Sequence, residues 1–220
     1  SDPEKHIELL RSAFVRIAYL ASSNNNFGSI SLNRLARTFI IFDEIYNELK
    51  NDGNLELNFE SDFISITGMT FKEYLCLCLA IYLHITSIDI ENDEAEKYFF
   101  NPTNFFSQTK IDPVKGVQAF EQLVLDPNTF RSDYDNDVAT ILKGNDYPQY
   151  NFLQFQKHPL LKLKDNMYFA IDIGFLSERL RDGIYRILQS YYFGLGETTK
   201  SRAVTKLWGL QHEKYISKII

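Results

Sequence analysis

The chain has 220 residues, of which 45% are hydrophobic, and its 29 acidic and 23 basic residues leave a formal net charge of −6. This composition supplies a sizeable core. The longest apolar run, residues 74–83, is about half as long as a membrane-spanning helix, and no signal peptide is visible. We therefore expect a cytoplasmic protein with no membrane partner. Cys76 and Cys78 point to different faces of one predicted helix, which excludes an easy bridge and favours buried free thiols.

Amphipathic stripes predict two helices at the start of the chain. Apolar residues recur every three or four positions in residues 7–21 and again in residues 32–49, which is the spacing of one helix face. Ser31 is a good N-cap for the second helix, and Gly53 lies just past its end. The two stripes predict core packing between antiparallel helices.

A capping box predicts the start of the next helix. In Thr70-Phe-Lys-Glu73 the Thr oxygen and the Glu carboxylate satisfy each other's backbone N–H groups. The helix that follows, to about Ser87, is apolar on all sides and is therefore expected at the centre of the core. Residues 55–59, before the box, are ambiguous and form either a short strand or an extended loop.

The middle of the chain alternates between loops and short elements. The aromatic residues of segment 98–106 are interrupted by Asn-Pro, and the segment is either two short elements that place rings in the core or an exposed recognition patch. Asp112 followed by Pro113 predicts a helix to about Leu125. Another short helix is predicted over residues 133–140, and residues 144–148 have the composition of a linker.

The pattern changes after this linker. Residues 152–156 are a candidate strand. A β-hairpin is predicted over residues 160–171, with Asn166 in its two-residue turn, because Asn tolerates the positive φ that such a turn requires. Asp172 then caps a long helix that ends near Gly194. A basic connector and a closing helix follow.

Charge divides the chain in a similar way. Residues 157–220 carry 11 Lys+Arg and 6 Asp+Glu, whereas residues 1–156 carry 12 and 23. We predict a mainly α protein with an acidic N-terminal helical bundle at 1–145, followed by a smaller basic α+β segment at 146–220 that contains the β-hairpin and two helices. The unequal charge indicates either two units with different partners or two halves that attract each other.

No residue pattern marks a metal site. The four histidines are far apart, and none has a second His or Cys at ligand spacing. The chain has no phosphate-binding glycine loop and no Gly-x-Ser-x-Gly elbow. Glu48-Leu-Lys50 matches the E-x-K pattern of metal-dependent nucleases, but it lies on a predicted helix, where Asp43 does not converge with it on one metal. We predict no metal site and no cofactor in the chain itself.

Three segments near the end of the chain form a loose motif that consists of a hairpin, a helix and a Gly-x-x-x-Glu-x-Tyr helix. They are His158-Pro-Leu with Leu163-Lys-Asp-Asn-Met-Tyr-Phe-Ala-Ile-Asp172, then Gly183-Ile-Tyr-Arg-Ile187, then Leu207-Trp-Gly-Leu-Gln-His-Glu-Lys-Tyr215. This motif, over about residues 155–220, resembles a region of uncharacterised bacterial proteins. Those proteins carry a helical N-terminal part and then a PD-(D/E)xK restriction-endonuclease-like domain.

The resemblance implies which residue would take part in chemistry. In nucleases of that superfamily the first core helix often carries an acidic residue near the metal, and Glu213 is the matching position here. The Asp and the E-x-K strand that would hold the metal are missing from this chain. The resemblance thus implies a nuclease-linked protein in which this chain is not itself catalytic and Mg²⁺ belongs to the full-length protein. The alternative for Glu213 is an ordinary solvent-facing helix residue.

We therefore expect a non-catalytic N-terminal module of a larger bacterial protein of the defence type, which recognises a protein partner or nucleic acid or regulates a nuclease domain. Two alternatives stay open: a self-contained enzyme whose site is assembled from distant carboxylates, and a helical scaffold that dimerises through its aromatic surface. The candidate phosphate contacts are basic residues of the C-terminal third: Arg179, Arg186, Lys200, Arg202 and Lys206.

The closing helix is expected to carry an apolar face, and no Gly or Asn cap follows it. We interpret the chain as a piece of a longer protein that is cut near the first helix of a following domain. The helix is then expected to be displaced, to pack on a neighbouring molecule or to fold back onto the hairpin. The residues of its apolar face are Trp208, Tyr215, Ile216, Ile219 and Ile220.

Overall fold

The computed structural model describes residues 37–86, 99–107, 109, 111–128, 130–140, 152–163 and 166–219. Most of these residues are helical, and a small sheet completes the fold. The predicted fold class, mainly α with a small β part, is therefore confirmed. The helix predicted at residues 7–21 and the linker predicted at residues 144–148 lie outside the described residues.

The described residues all belong to one compact unit, Leu32–Ile220. The boundary predicted between residues 145 and 146 falls in a range that the structure does not describe. The division into an acidic domain and a basic segment therefore stays a prediction.

Three helices form the first described part of the chain. Helix α1 begins as a π-helical segment, Ile40–Ile45, and continues as an α-helix over Tyr46–Asn51. Helix α2 covers Phe59–Thr67 and helix α3 covers Phe71–Thr86. Of the two alternatives for residues 55–59, the loop is observed for residues 55–58, whereas Phe59 begins α2. Asn58 caps α2 by accepting a hydrogen bond from the Ser61 N–H.

Thr70 and Glu73 form the predicted capping box of α3. The Thr70 N–H donates to the Glu73 carboxylate at 2.8 Å, and the Glu73 N–H donates to Thr70 Oγ1 at 3.2 Å. The predicted burial of this helix is observed along one side, whereas Cys76 is exposed because it lies on another face. The fully buried residues of α3 include Tyr74, Leu77, Cys78 and Ile81.

Four short strands form one sheet in the order β1-β4-β3-β2. Strands β1 and β3 run antiparallel to β4, and β2 runs parallel to β3. The predicted hairpin of β3 and β4 is confirmed, and Asn166 in its turn has a φ of +56°. The strands are β1 Phe99–Phe100, β2 Val124–Leu125, β3 Leu160–Lys162 and β4 Tyr168–Ala170.

Two local predictions for the middle of the chain were wrong. Helix α5, Pro113–Glu121, begins at the predicted Asp112 cap but ends before Leu125, because Val124–Leu125 pairs with β3. Leu153–Lys157, predicted as a strand, is a short helix, α7. Packing explains this difference, since Phe155 of α7 lies between two rings of other elements, Phe130 at 5.4 Å and Phe175 at 6.5 Å.

Helices α4, Pro102–Ser107, and α6, Phe130–Thr140, complete the middle of the chain. Phe105 and Phe106 of α4 are buried. For these two residues, the core interpretation of the aromatic segment is the one observed.

The two longest helices close the fold. Helix α8 covers Ile173–Gly194, and helix α9 covers Thr198–Ile219. Helix α8 packs against α2, α3, α7 and α9, and α9 also packs against the π-helical part of α1. Asp172 caps α8 as predicted, because its side chain accepts a hydrogen bond from the Gly174 N–H.

A buried chain of hydrogen bonds ties α9 to α8 and α1. The Tyr185 hydroxyl donates to Gln211 Oε1 at 2.7 Å, and Gln211 Nε2 donates to the Ile41 carbonyl at 2.9 Å. Gln211 is fully buried. The Ile41 carbonyl also accepts the Tyr46 N–H at the end of the π-helical segment. Helix α9 therefore packs within the fold, whereas we had expected it to be displaced or folded onto the hairpin.

The predicted apolar face of α9 is only partly covered. The Trp208 ring stacks on Tyr185 with a centroid distance of 5.0 Å, although 40% of the residue stays exposed. Ile216 and Ile219 are exposed, and Ile220 lies outside the described residues.

Ion pairs join basic α9 to the acidic front of the chain. They lie at the surface, where water and salt screen each pair and it contributes little to stability. Their arrangement supports the interpretation that the unequal charges of the two halves attract each other. The pairs are Lys206 with Glu56 at 2.6 Å, Lys214 with Asp52 at 2.8 Å, and Lys218 with Glu48.

We expect Gln211→Leu to lower the free energy of unfolding by about 1–3 kcal/mol, because it leaves the Tyr185 hydroxyl and the Ile41 carbonyl without this buried partner. Urea unfolding measures the loss. In the Gln211→Leu variant, the further change Tyr185→Phe should lower the free energy of unfolding by less than it does in the unmodified chain, because both changes remove the same hydrogen bond. Gln189→Leu removes an exposed bond to Thr205 between the same helices, and this control should change stability by less than about 0.5 kcal/mol. Fully additive losses would contradict the coupling.

Two helical glycines should respond in opposite ways to replacement by alanine. An added Cβ at Gly209 of α9 meets nothing within 4 Å, so Gly209→Ala should stabilise the protein by up to about 1 kcal/mol. At Gly116 of α5 the added Cβ would lie 2.5 Å from Phe106 Cε1, so Gly116→Ala should destabilise it by about 1–3 kcal/mol through overpacking. Thermal unfolding of the two variants tests this, and equal shifts of Tm would contradict it.

Candidate functional site

A cavity of about 190 Å³ lies beside α8, next to the end of α7 and the turn between α5 and β2. Its volume corresponds to roughly six water molecules. Among the described residues no Asp or Glu lines it, whereas its apolar lining includes Ile66 and Ile187. We call this cavity the basic cleft, after four of the residues that line it: Lys157, His158, Arg179 and Arg186.

Arg179 is the deepest charge of the basic cleft. Helix α8 turns it inwards, and only 3% of the residue is exposed. Its Nε and Nη1 atoms are buried and have no hydrogen-bond partner among the described residues. Burial lowers the pKa of Arg179 from its usual value, but a guanidinium keeps its proton at neutral pH. The cleft therefore contains a buried positive charge with unused donors.

Neutral groups surround the stem of Arg179. An added Cβ at Gly183 would lie 3.3 Å from Arg179 Cδ and 3.4 Å from Tyr74 Oη, so this glycine leaves room for both side chains. Burial raises the pKa of Tyr74 well above its usual value and that of Cys78 to about 12. Both groups are therefore uncharged at neutral pH, and neither acts as a counter-ion.

The buried carboxylate of Asp182 serves other arginines. Arg186 Nε donates to Asp182 Oδ2 at 3.1 Å, and Arg181 Nη2 lies 3.6 Å from the same oxygen. Within the described part of the chain, Arg179 has no ion pair of its own. Asp182 thus neutralises much of the charge of its two partners. Its charge also acts on Arg179, although no hydrogen bond joins the two residues, and Asp182 Oδ1 is buried without a partner among the described residues.

His158 supplies a different kind of group to the basic cleft. Its Nδ1 is buried without a hydrogen-bond partner, while the ring also bonds to the backbone of Gln122. Burial lowers the pKa of His158 to about 4, and the charge of Arg179 lowers it as well. The imidazole is therefore neutral at pH 7.

This arrangement is suited to holding an anion. Guanidinium groups bind carboxylate and phosphate through two parallel N–H donors, and such charge-assisted hydrogen bonds are stronger than neutral ones. Arg179 has two donor nitrogens without a partner, in a cavity that no carboxylate of the described segments lines. The cleft provides positive charge, hydrogen-bond donors and room for a small ligand.

The structure brings together two of the five predicted phosphate contacts, Arg179 and Arg186. The other three do not line the basic cleft. Lys200 pairs with Glu197 and lies over the Tyr192 ring, Lys206 pairs with Glu56, and Arg202 is exposed on α9. The assignment of all five as nucleic-acid contacts stays a prediction.

Glu213 is exposed on α9. Among the described residues, no group of three or more His, Cys, Asp or Glu side chains is placed to hold a metal ion. The single carboxylate of Glu213 does not supply the several oxygen ligands that Mg²⁺ prefers. The catalytic role of Glu213 and the use of Mg²⁺ by the full-length protein stay predictions.

Sequence reasoning missed Lys157, His158 and Gln122 as parts of one site. These residues are brought to the cleft by α7, by the segment before β3 and by the end of α5, and no sequence spacing links the first two to the third. One signal was present for Arg179, which lies three residues after buried Leu176 and therefore beside the apolar stripe of α8.

Comparisons with models of protein families, with curated proteins and with solved structures find no match to this chain. The resemblance of residues 155–220 to nuclease-linked bacterial proteins therefore stays a prediction.

In the part of the chain that the structure describes, no single helix is long and apolar enough to cross a membrane. Helices α2 and α3 reach that length and composition only as a pair, which is bent by 48°.

His158 should make the protein less stable in acid. Its pKa is about 4 in the folded chain against an ordinary 6.5, so between these values the unfolded chain binds a proton that the folded chain excludes. The contribution of His158 to the free energy of unfolding is therefore fully present above about pH 6.5. It falls by up to about 3 kcal/mol as the pH is lowered to 4. Urea unfolding across this range should show a shallower pH dependence for His158→Asn. Parallel curves for the two proteins would contradict the assignment.

Proposed function

We propose that this chain is a non-catalytic recognition module and that the basic cleft binds a phosphate group of its ligand. In its wider form, the proposal places the module in a larger cytoplasmic, nuclease-linked bacterial protein of the defence type, where ligand binding regulates the nuclease or selects its target. The wider form rests on the resemblance of residues 155–220. The phosphate site rests on the geometry of Arg179.

The buried charge of Arg179 is the observation that carries the proposal. A buried ion without a partner costs several kcal/mol, and two nitrogens of this guanidinium have no acceptor in the described part of the chain. A phosphate group would supply both the opposite charge and the acceptor oxygens. Binding an anion would therefore relieve a free-energy cost that the buried guanidinium imposes on the fold.

Nucleic acid enters this proposal as a ligand that offers a phosphate to the cleft. An extended basic surface has less support, because Lys200 and Lys206 already pair with carboxylates. A polyanion would have to compete with Glu197 and Glu56 for them. A single phosphate in the cleft meets no such competition from the part of the chain that the structure describes, where no Asp or Glu lines the cleft.

The alternative of a self-contained carboxylate enzyme needs two acidic side chains that converge on a substrate. The residues described around the basic cleft include none in its lining, and the positive charge of the cleft favours binding an anion over removing a proton from it. The cleft therefore supports recognition better than carboxylate chemistry.

We expect inorganic phosphate at constant ionic strength to raise the thermal stability of this chain, by about 2.7 kcal/mol at one hundred times its Kd. Arg179→Met should abolish that gain. Without phosphate the variant should be at least as stable as the parent, because Met fills similar space without a buried charge. Thermal unfolding with and without phosphate measures both effects.

Arg131→Met is the matched control, since Arg131 is exposed on α6 and pairs with Asp135; it should keep the full response to phosphate. If phosphate stabilises Arg179→Met as much as it stabilises the parent, the phosphate does not bind in the basic cleft. Electrophoretic mobility shifts with single-stranded and duplex DNA at low salt test the nucleic-acid part. If neither DNA is shifted, nucleic acid is not a ligand of this chain. Binding of free phosphate is tested separately, by the unfolding experiment.

A further inference from the structure

The basic cleft contains an acceptor among its donors. His158 Nδ1 is buried in the cleft wall without a hydrogen-bond partner. The ring also bonds to the Gln122 backbone, and since Nδ1 has no partner, we assign this bond to Nε2–H as donor and the Gln122 carbonyl as acceptor. In a neutral imidazole with its proton on Nε2, Nδ1 carries a lone pair and accepts a hydrogen bond.

The charged groups around His158 keep this acceptor neutral. Arg179 faces it from α8, Lys157 lies next to it at the end of α7, and Asp133 approaches from α6. Arg186 of α8 lines the same cleft. The two nearest positive charges and burial outweigh Asp133, so the pKa of His158 falls to about 4.

A neutral acceptor in a basic cleft discriminates between oxyanions by their protons. A fully ionised oxyanion would place an oxygen lone pair against the Nδ1 lone pair. An oxyanion that still holds one proton donates it to Nδ1 while its other oxygens accept from Arg179. Sulfate and internal phosphodiesters hold no proton at neutral pH, whereas a phosphate monoester has a pKa of about 6.

We propose that the basic cleft selects a singly protonated phosphate, as free phosphate or as a terminal phosphate monoester, and that His158 Nδ1 is the residue atom that makes this selection. The inference rests on the proposed function, since it assigns the ligand class of the same cleft. It makes the end of a nucleic acid or a mononucleotide a ligand and leaves the internal phosphates of a strand outside the site.

Calorimetric titration of the chain with inorganic phosphate and with sulfate, at equal ionic strength, tests the selection. At about pH 6 phosphate should bind roughly tenfold more tightly than sulfate, because sulfate leaves a buried acceptor without a partner. At about pH 8 inorganic phosphate still holds one proton as HPO₄²⁻ and should bind with little proton uptake. A phosphate monoester has lost its last proton at this pH, so its binding should take up close to one proton. Titration in buffers of different ionisation enthalpy counts that proton in the unmodified protein.

His158→Asn provides the matched variant, because its amide can turn an N–H donor towards the ligand. The variant should bind sulfate about as tightly as phosphate and should take up no proton. A single-stranded oligonucleotide with a 5′-phosphate, compared with the same strand lacking it, distinguishes a terminal phosphate from free phosphate as the source. Only the phosphorylated strand should compete with inorganic phosphate.

The outcomes separate this inference from the proposed function. Equal affinity for sulfate and phosphate in the parent chain, without proton uptake, would overturn the selection and leave the anion site intact. Equal competition by the two oligonucleotides would also overturn it. Absence of binding for both anions would overturn the proposed function and this inference together.

Discussion

The buried guanidinium of Arg179 is the constraint on which the centre of the structure depends. It lies on α8, the helix that contacts α2, α3, α7 and α9, so the free-energy cost of burying this charge falls on the helix with the most packing partners named here. That cost is several kcal/mol, against a total of about 5–15 kcal/mol for a typical domain. An apolar residue would serve packing better, so a charge at this position points to a use for it.

The same charge determines the chemistry around it. It helps to keep His158 neutral, so the basic cleft combines permanent donors with a permanent acceptor. Gly183 makes room for the arginine at a position where alanine would give a better helix. Local choices that cost stability are expected at functional sites. A module built in this way couples ligand binding to its own stability, because the ligand supplies partners that the fold leaves out.

Local signals were sufficient where neighbours in the chain decide the structure. The Thr70–Glu73 box, the Asp172 cap and the Asn166 turn each satisfy backbone groups within a few residues, so they could be predicted. Strand β2 and helix α7 could not, because β2 exists by pairing with β3 and α7 by packing of Phe155. The residues of the basic cleft also differ in whether the sequence could predict them. Arg179 and Arg186 share one helix, whereas His158 reaches them only through the tertiary fold.

The position of α9 decides how the unequal charge of the chain is used. Its lysines lie against the carboxylates of α1 and of the loop that follows it, so much of the basic excess is neutralised inside the molecule. The chain as a whole carries −6, and this field opposes a polyanion that approaches an open surface. Exposed charges are screened beyond about 8–10 Å in physiological salt, whereas a buried guanidinium is not. A negatively charged chain can therefore recognise a phosphate at a buried guanidinium in a cleft better than along a surface, which favours a small or terminal phosphate as its ligand.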